Sequence, residues 1–319
     1  MTAGIQELIA SWAPSADLSC PAAMLQALAN SSGIPLQDGF FQLMKNQFRI
    51  LSADQFEADP YLAAMKDLPD QIREGRFTLA MVSYEKGELL AYDAPSGSGL
   101  SDAEATGSGR PGAEAPDSCI SGQEATACGH FAQAGEVLIV PKIGCFDRRV
   151  RFPSIYEEEI PWMSVCPSEM NTLREPLEDA RAFLRQRKDS RVLVLGLGLG
   201  YYPFLISLED SVKEIVIVEY SREIIDLFEK YLLPRFPYPG KIRIVQDDAF
   251  DYLRRVQPGE FDYVFSDTWE SQFDGAKDYL RIKRQEARLN PENAEPRTGF
   301  GYWIEPQIRA YLKDEGILT

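Results

Sequence analysis

Residues 191 to 202 read RVLVLGLGLGYY, and this stretch decides the fold. Val192, Leu193, Val194 and Leu195 form a short, unbroken apolar run, which suits a strand buried on both faces, as in a parallel sheet. Glycines then alternate at Gly196, Gly198 and Gly200, and an amphipathic segment follows. Glycine at a strand-to-helix turn lets the backbone bend sharply and approach a ligand closely. The helix N-terminus behind such a turn offers unpaired N–H groups and the positive end of a dipole. The stretch reads as a strand, a nucleotide-type loop and the start of a helix.

Downstream of it strands and helices alternate, the signature of a doubly wound parallel sheet. A second strand is expected from Glu214 to Val218, closed by Glu219, which lies 19 positions beyond Gly200. A carboxylate at that spacing accepts two hydrogen bonds and suits the vicinal diol of a ribose; the plainer reading is a strand-end carboxylate in water. Ser221 is expected to cap the next helix, whose apolar face is Ile224, Ile225, Leu227, Phe228, Tyr231 and Leu232, with Pro234 after its end. A third strand, Lys241 to Val245, leads to Asp247, Asp248 and Ala249. Asp248 is in place to N-cap a helix, and strand-end polar groups of such folds also face the ligand crevice. The fourth strand, Phe261 to Ser266, ends at Asp267, with Glu270 close behind. Two carboxylates there can orient an amine or act as a base, or be hydrated loop residues.

The glycine spacing is GxGxG, with tyrosine at position 201 where a dinucleotide fingerprint turns differently. Residues 191 to 270 resemble a class I S-adenosylmethionine-dependent methyltransferase. The resemblance implies that Gly196, Gly198 and Gly200 pass under the methionine part of the cofactor, S-adenosylmethionine, and that Glu219 holds its ribose. It implies that Tyr220, Asp248 and Ala249 border the adenine. The chain departs from the family at Val194, where an acidic residue usually stands two positions before the first glycine and holds the methionine amino group through water. The layout is also similar to the spermidine synthase branch, with a small β-rich domain before the glycine strand. In FDYVFSDTWE the first acid of that branch's loop is kept as Asp267, with Glu270 at the second position. The branch's GGGDGG loop is absent. The resemblance implies methyl transfer to a small-molecule acceptor, such as an amine, with Asp267 and Glu270 as the catalytic carboxylates. The alternatives are aminopropyl transfer and a non-catalytic protein that keeps a nucleotide-type cleft.

Bulk properties narrow the field. The 319 residues leave room for one large domain or two ordinary ones, and 45% hydrophobic with 26% charged residues is a globular composition. A formal charge of −16 argues against a nucleic-acid partner, because phosphate binding needs a basic face. Acidity is compatible with a cationic substrate and is equally a device for solubility. No apolar run approaches the roughly 20 residues needed to span a bilayer, and the N-terminus has no basic-then-apolar leader pattern, so a cytoplasmic address without membrane association is expected. The five cysteines show no CxxC spacing, so neither a disulfide framework nor a metal site is expected. The single histidine, His130, lies in a polar low-complexity stretch, which argues against a Ser-His-Asp hydrolase. Self-association as a homodimer is left open.

Before the glycine strand, residues 1 to about 50 have helical spacing of apolar residues. FTLAMVSYEKGELLAYD, from Phe77, reads as a hairpin around Glu85-Lys86-Gly87-Glu88. Residues 93 to 135 are dominated by Gly, Ser, Ala, Pro, Glu and Asp and read as a flexible insertion. Strands are expected at 136–141 and 148–152. Ile155 to Thr172 is broken by prolines yet rich in Trp162, Met163 and Val165, so it is expected to pack across the next domain or line its cleft. A helix from Glu175 to Leu184 is expected, with Pro176 in its first turn. After Glu270 a helix (276–288), a fifth strand (300–304) and a helix (306–313) follow. The last two strands of a full methyltransferase sheet are not recognisable. The expectation is an α/β chain: an N-terminal α+β domain at 1–172 and a Rossmann-like S-adenosylmethionine-binding domain at 173–319.

Overall fold

The computed structural model describes residues 49–88, 90–93, 142–292 and 295–318. The helices expected before residue 49, the insertion beyond residue 93 and the strand at 136–141 lie outside the described residues. In chain order the elements begin with β1 (Arg49–Leu51), α1 (Ala53–Glu57), α2 (Pro60–Met65), β2 (Gln71–Glu74), β3 (Phe77–Tyr84), β4 (Leu90–Asp93) and β5 (Lys142–Phe146). They continue with β6 (Val150–Glu157), β7 (Ile160–Ser164), α3 (Pro167–Leu184), β8 (Ser190–Leu195), α4 (Tyr201–Ser207), β9 (Val212–Glu219) and α5 (Arg222–Leu227). The last are β10 (Ile242–Gln246), α6 (Ala249–Arg255), β11 (Tyr263–Ser266), α7 (Gln272–Leu289), β12 (Gly299–Tyr302) and α8 (Glu305–Asp314).

The chain divides into two compact units, Met1–Asp59 with Val82–Arg151 and Pro60–Met81 with Phe152–Thr319. In the first, β5 lies between β1 and β4, parallel to β1 and antiparallel to β4. Ser52 caps α1 by accepting the Gln55 N–H at 3.2 Å. Arg148 ties the strand behind it to Asp54 and Glu57 of that helix, at 2.6 and 2.7 Å.

Two expectations need correction here, the hairpin and the start of the helix before β8. The turn at Glu85 forms, with the Glu88 N–H on the Glu85 carbonyl at 3.1 Å, but β3 and β4 do not make a hairpin. Gly87 donates to the Phe146 carbonyl at 3.1 Å, so the chain leaves the turn along β5 instead of returning along β3. The proline-broken stretch holds β7 and the end of β6, since prolines are tolerated at a sheet edge and beside a register slip, and its Met163, Ser164, Val165 and Glu169 line a cavity as expected. The slip falls between Ile155 and Tyr156, and Pro161 faces Tyr156. The next helix starts at Pro167 rather than Glu175, so Pro176 lies in its interior. Pro167 takes the first helical position, where a missing N–H costs nothing, and this is the start signal the sequence reading passed over.

The second unit holds the five-stranded sheet, in the order β10-β9-β8-β11-β12, with every pair parallel. The glycine strand β8 is central, and strand order reverses between β8 and β11, as in a doubly wound Rossmann-like sheet. Alternate residues serve the two faces. Leu193, Leu195, Val216, Val218 and Val264 pack with Leu253 of α6, Ala276, Tyr279 and Ile282 of α7, and Ile308 and Leu312 of α8. On the other face Tyr202 of α4 stacks on Phe265 at 3.6 Å between ring centres, and Phe183 of α3 meets Tyr263 edge-on at 5.6 Å. Burial on both faces explains why β8 reads as continuous apolar sequence. Register aligns Leu195, Val218 and Ser266 at the C-terminal edge of the sheet. Among the described residues the sheet has no strand beyond β12. No helix among them is long and apolar enough to cross a membrane.

Candidate functional site

The site is built where β8 and β11 end side by side. Asp267 continues the ladder with its N–H on the Leu195 carbonyl at 2.9 Å. Gly196 turns away from the strand at φ +94°, and a Cβ there would lie 2.1 Å from the Asp267 carbonyl oxygen. Any other residue would both strain the backbone and break the junction of the two strands. Gly198 follows at φ +50°, and Gly200 is the N-cap of α4.

The hydrogen-bond donors of this loop are largely used within the protein. Gly196 N–H goes to the Val218 carbonyl and Gly200 N–H to the Leu197 carbonyl, each at 2.9 Å. Leu197 N–H goes to Glu219 Oε2 at 3.2 Å, and Leu199 N–H to the Met163 sulfur at 3.0 Å. The amides of Leu197 and Leu199 are thus already engaged within the protein. α4 is a seven-residue helix, so its start adds little beyond these contacts.

Glu219 links the loop to the next helix. Its other oxygen, Oε1, accepts the Ser221 N–H at 2.7 Å. Burial raises its pKa above the ordinary glutamate value, against the opposing pull of the backbone N–H groups of Ser221, Leu197 and Tyr220. The two carboxylate oxygens offer four acceptor sites, and these three N–H groups leave one of them. Tyr220 is 77% exposed, and its ring stands in solvent. Asp248 caps α6 with one oxygen accepting from Phe250 N–H at 2.9 Å and Asp251 N–H at 2.8 Å, and Ala249 is the first residue of that helix. Register joins Gln246 to Glu219, which brings Asp248 and Ala249 to the same end of the sheet as Tyr220.

Behind the loop lies a cavity of about 30 Å³, lined by Met163, Ser164 and Val165, by Glu169 and Leu173 of α3, by Val194, by the loop itself, and by Phe265 and Asp267. That volume holds about one or two waters. The residues lining it include two carboxylates, Glu169 and Asp267, and no Lys, Arg or His. Asp267 is half-buried, and removal of its carboxyl from water pushes its pKa from 3.8 up to about 7. A carboxyl at that value exchanges a proton near neutral pH, which is what a general base requires. Glu270 is exposed, outside the cavity lining, and its N–H is held by Asp274 at 2.9 Å. The structure thus brings Gly196, Gly198, Gly200, Glu219 and Asp267 together, sets Tyr220, Asp248 and Ala249 beside them, and leaves Glu270 in solvent. Among the described residues no cluster of three or more His, Cys, Asp or Glu is arranged to hold a metal ion.

Sequence reasoning does not reach Tyr61. Tyr61, fully buried, donates its hydroxyl to the Leu199 carbonyl at 2.5 Å across 138 residues of sequence. Its ring meets Tyr201 and Phe204 edge-on, each at 5.3 Å. No local signal marks such a residue. Glu169 lies in the stretch expected to line the cleft, and it does so from the first turn of α3.

No family model matches the chain, and no curated protein matches it. Solved structures give partial likenesses. A spermidine synthase in complex with the transition-state analogue AdoDATO is 19% identical, with a TM-score of 0.32 over 42% of this chain and 48% of its own. The spermidine synthase from Thermotoga maritima is 21% identical, with a TM-score of 0.30 over 41% of this chain and 48% of its own. A protein assigned as an RNA methyltransferase from Pyrococcus horikoshii is 19% identical, with a TM-score of 0.30 over 46% of this chain and 66% of its own. The chain spans about half the length of these spermidine synthases. The fold rests on the sheet order and register above, not on these matches.

Proposed function

We propose that this chain is an S-adenosylmethionine-dependent transferase that methylates a small amine. The observation that carries this reading is the junction of Glu219 with the glycine loop at the C-terminal edge of a doubly wound parallel sheet. The residues suit the nucleoside end of that ligand: Glu219 keeps an acceptor site for a ribose hydroxyl, and Tyr220, Asp248 and Ala249 flank the place for a base. The methionine end needs more room than about 30 Å³, and Met163 stands in that room. With the Met163 side chain moved aside, the backbone of Gly196 to Gly200 is the floor of the site.

S-adenosylmethionine, when bound, supplies a carbon made electrophilic by the neighbouring sulfonium. The protein's part is alignment and exclusion of water. Asp267 and Glu169 favour a cationic acceptor, since they are the charged side chains of the cavity lining. Asp267, with its pKa near 7, takes the proton that an ammonium acceptor must lose before its lone pair can attack. Val194 lines the cavity as a buried apolar residue where the family has an acid, so Asp267 and Glu169 are the carboxylates left to face an amino group.

Aminopropyl transfer is the second reading, favoured by the same pair of carboxylates in a cavity lined by no other charged residue. Incubation with S-adenosylmethionine, or its decarboxylated form, and putrescine, followed by mass spectrometry, separates the two. A methylated amine supports the first and a chain-extended polyamine the second. No product with either donor across a panel of amines would sink both.

A further inference from the structure

Met163 occupies the glycine loop from the outside. Its sulfur lies where a Cβ on Gly198 would need to be, at 2.4 Å, with its methyl carbon at 2.6 Å. The same sulfur accepts the Leu199 N–H at 3.0 Å. The other paired N–H groups of the loop reach carbonyl or carboxylate oxygens, which are strong acceptors, whereas a thioether is a weak one. Leu199 N–H is therefore the loop donor with most to gain from a change of partner.

The strand that carries Met163 is built to yield. β7 is the edge of the sheet β2-β3-β6-β7. Pro161 has no N–H to give to β6, and the register slips opposite it. Ile160 is 40% exposed and adds little burial to hold the strand down, while Trp162 keeps a ring contact with Phe77 at 5.4 Å that need not change when the Met163 side chain alone turns. Methionine itself has three rotatable side-chain bonds and adapts readily. Rotation of that one side chain opens the cavity toward the loop without disturbing the five-stranded sheet.

We propose that Met163 is a displaceable plug. It holds the Gly198–Leu199 backbone in shape and leaves when the amino-acid end of the ligand enters, and Leu199 N–H then passes from sulfur to a ligand oxygen. This rests on the S-adenosyl reading of the site. The population of the plugged form lowers the apparent affinity of the unaltered protein, because only the open fraction binds.

The test is calorimetric titration of S-adenosylhomocysteine into the full chain and two variants. Met163→Ala removes the plug, and Met163→Leu keeps its bulk. Met163→Ala is expected to bind about tenfold more tightly than the unaltered protein, with Met163→Leu close to it in affinity. If Met163→Ala does not fold, Met163→Val, which also lacks the sulfur and suits a strand, takes its place. Equal or weaker binding by the shortened variant overturns the plug while leaving the S-adenosyl reading intact. Binding by none of the proteins overturns that reading and the plug together.

Discussion

The carboxylate of Glu219 accepts the amide N–H of Leu197 at 3.2 Å, which fastens the end of one parallel strand to the glycine loop of its neighbour. Two features that look independent in sequence, a strand-end acid and a run of glycines, are one structural unit. Glu219→Ala leaves the Leu197 and Ser221 amides without their acceptor and is expected to destabilise the chain by about 1–3 kcal/mol. Glu219→Gln keeps an oxygen acceptor and should cost less. Denaturant midpoints at constant slope measure the difference.

Asp267 has the opposite character, since its carboxyl has no ion pair or side-chain hydrogen bond among the described residues, and burial alone raises its pKa from 3.8 to about 7. Below pH about 4 the group is protonated folded and unfolded, and it carries no penalty. As pH rises from there through about 7, the unfolded chain ionises first, so stability falls progressively. Asp267→Asn removes that slope. The variant is expected to match the unaltered protein near pH 4 and to exceed it at pH 8 by about 1 kcal/mol or more. Transfer should show the reverse pattern, rising through pH 7 in the unaltered protein and staying low in Asp267→Asn.

Gly196 and Gly259 both have positive φ, at +94° and +76°, yet they differ in surroundings. A Cβ at Gly259 meets nothing within 4 Å, while one at Gly196 runs into the Asp267 backbone. Gly259→Ala is expected to cost about 1–2 kcal/mol of backbone strain. Gly196→Ala adds displacement of a strand end to the same strain and should cost at least about 3 kcal/mol. Thermal unfolding of the two variants gives the comparison.

Tyr61→Phe deletes one oxygen from a fully buried site and leaves the Leu199 carbonyl without that donor. A loss of about 1–2 kcal/mol is expected. Faster hydrogen exchange confined to the loop would mark Tyr61 as a positioning residue. Uniform acceleration across the second unit would mark it as core alone.

The five-stranded sheet was legible because buried parallel strands advertise themselves as short apolar runs, and β8, β9, β10 and β11 each close on or before a glycine or an acid. Ser221 and Asp248 were legible as caps for an equally local reason, the hydrogen bonds they make two or three residues on. Errors came where partners are distant. Nothing around Glu85 says that Gly87 will donate to Phe146 instead of closing a hairpin. The stretch around Met163 reads as lining the cleft, but nothing in it says that the sulfur will lie against Gly198. Glu270 was grouped with Asp267 by sequence proximity, but the capping box of Ser271 and Asp274 turns the chain into α7 there and leaves Glu270 in solvent. A pair of acids three residues apart is read together only if both face the same side of the strand end.

The proposed transferase requires that the glycine loop and Glu219 hold an S-adenosyl ligand. Calorimetric titration of S-adenosylhomocysteine at up to millimolar concentration, into the unaltered chain and into Glu219→Ala, tests this. Saturable binding by the unaltered chain, weakened at least about tenfold in Glu219→Ala, is the expected result. Absence of binding by the unaltered and Met163→Ala proteins alike, or equal affinity with and without the Glu219 carboxylate, would contradict it.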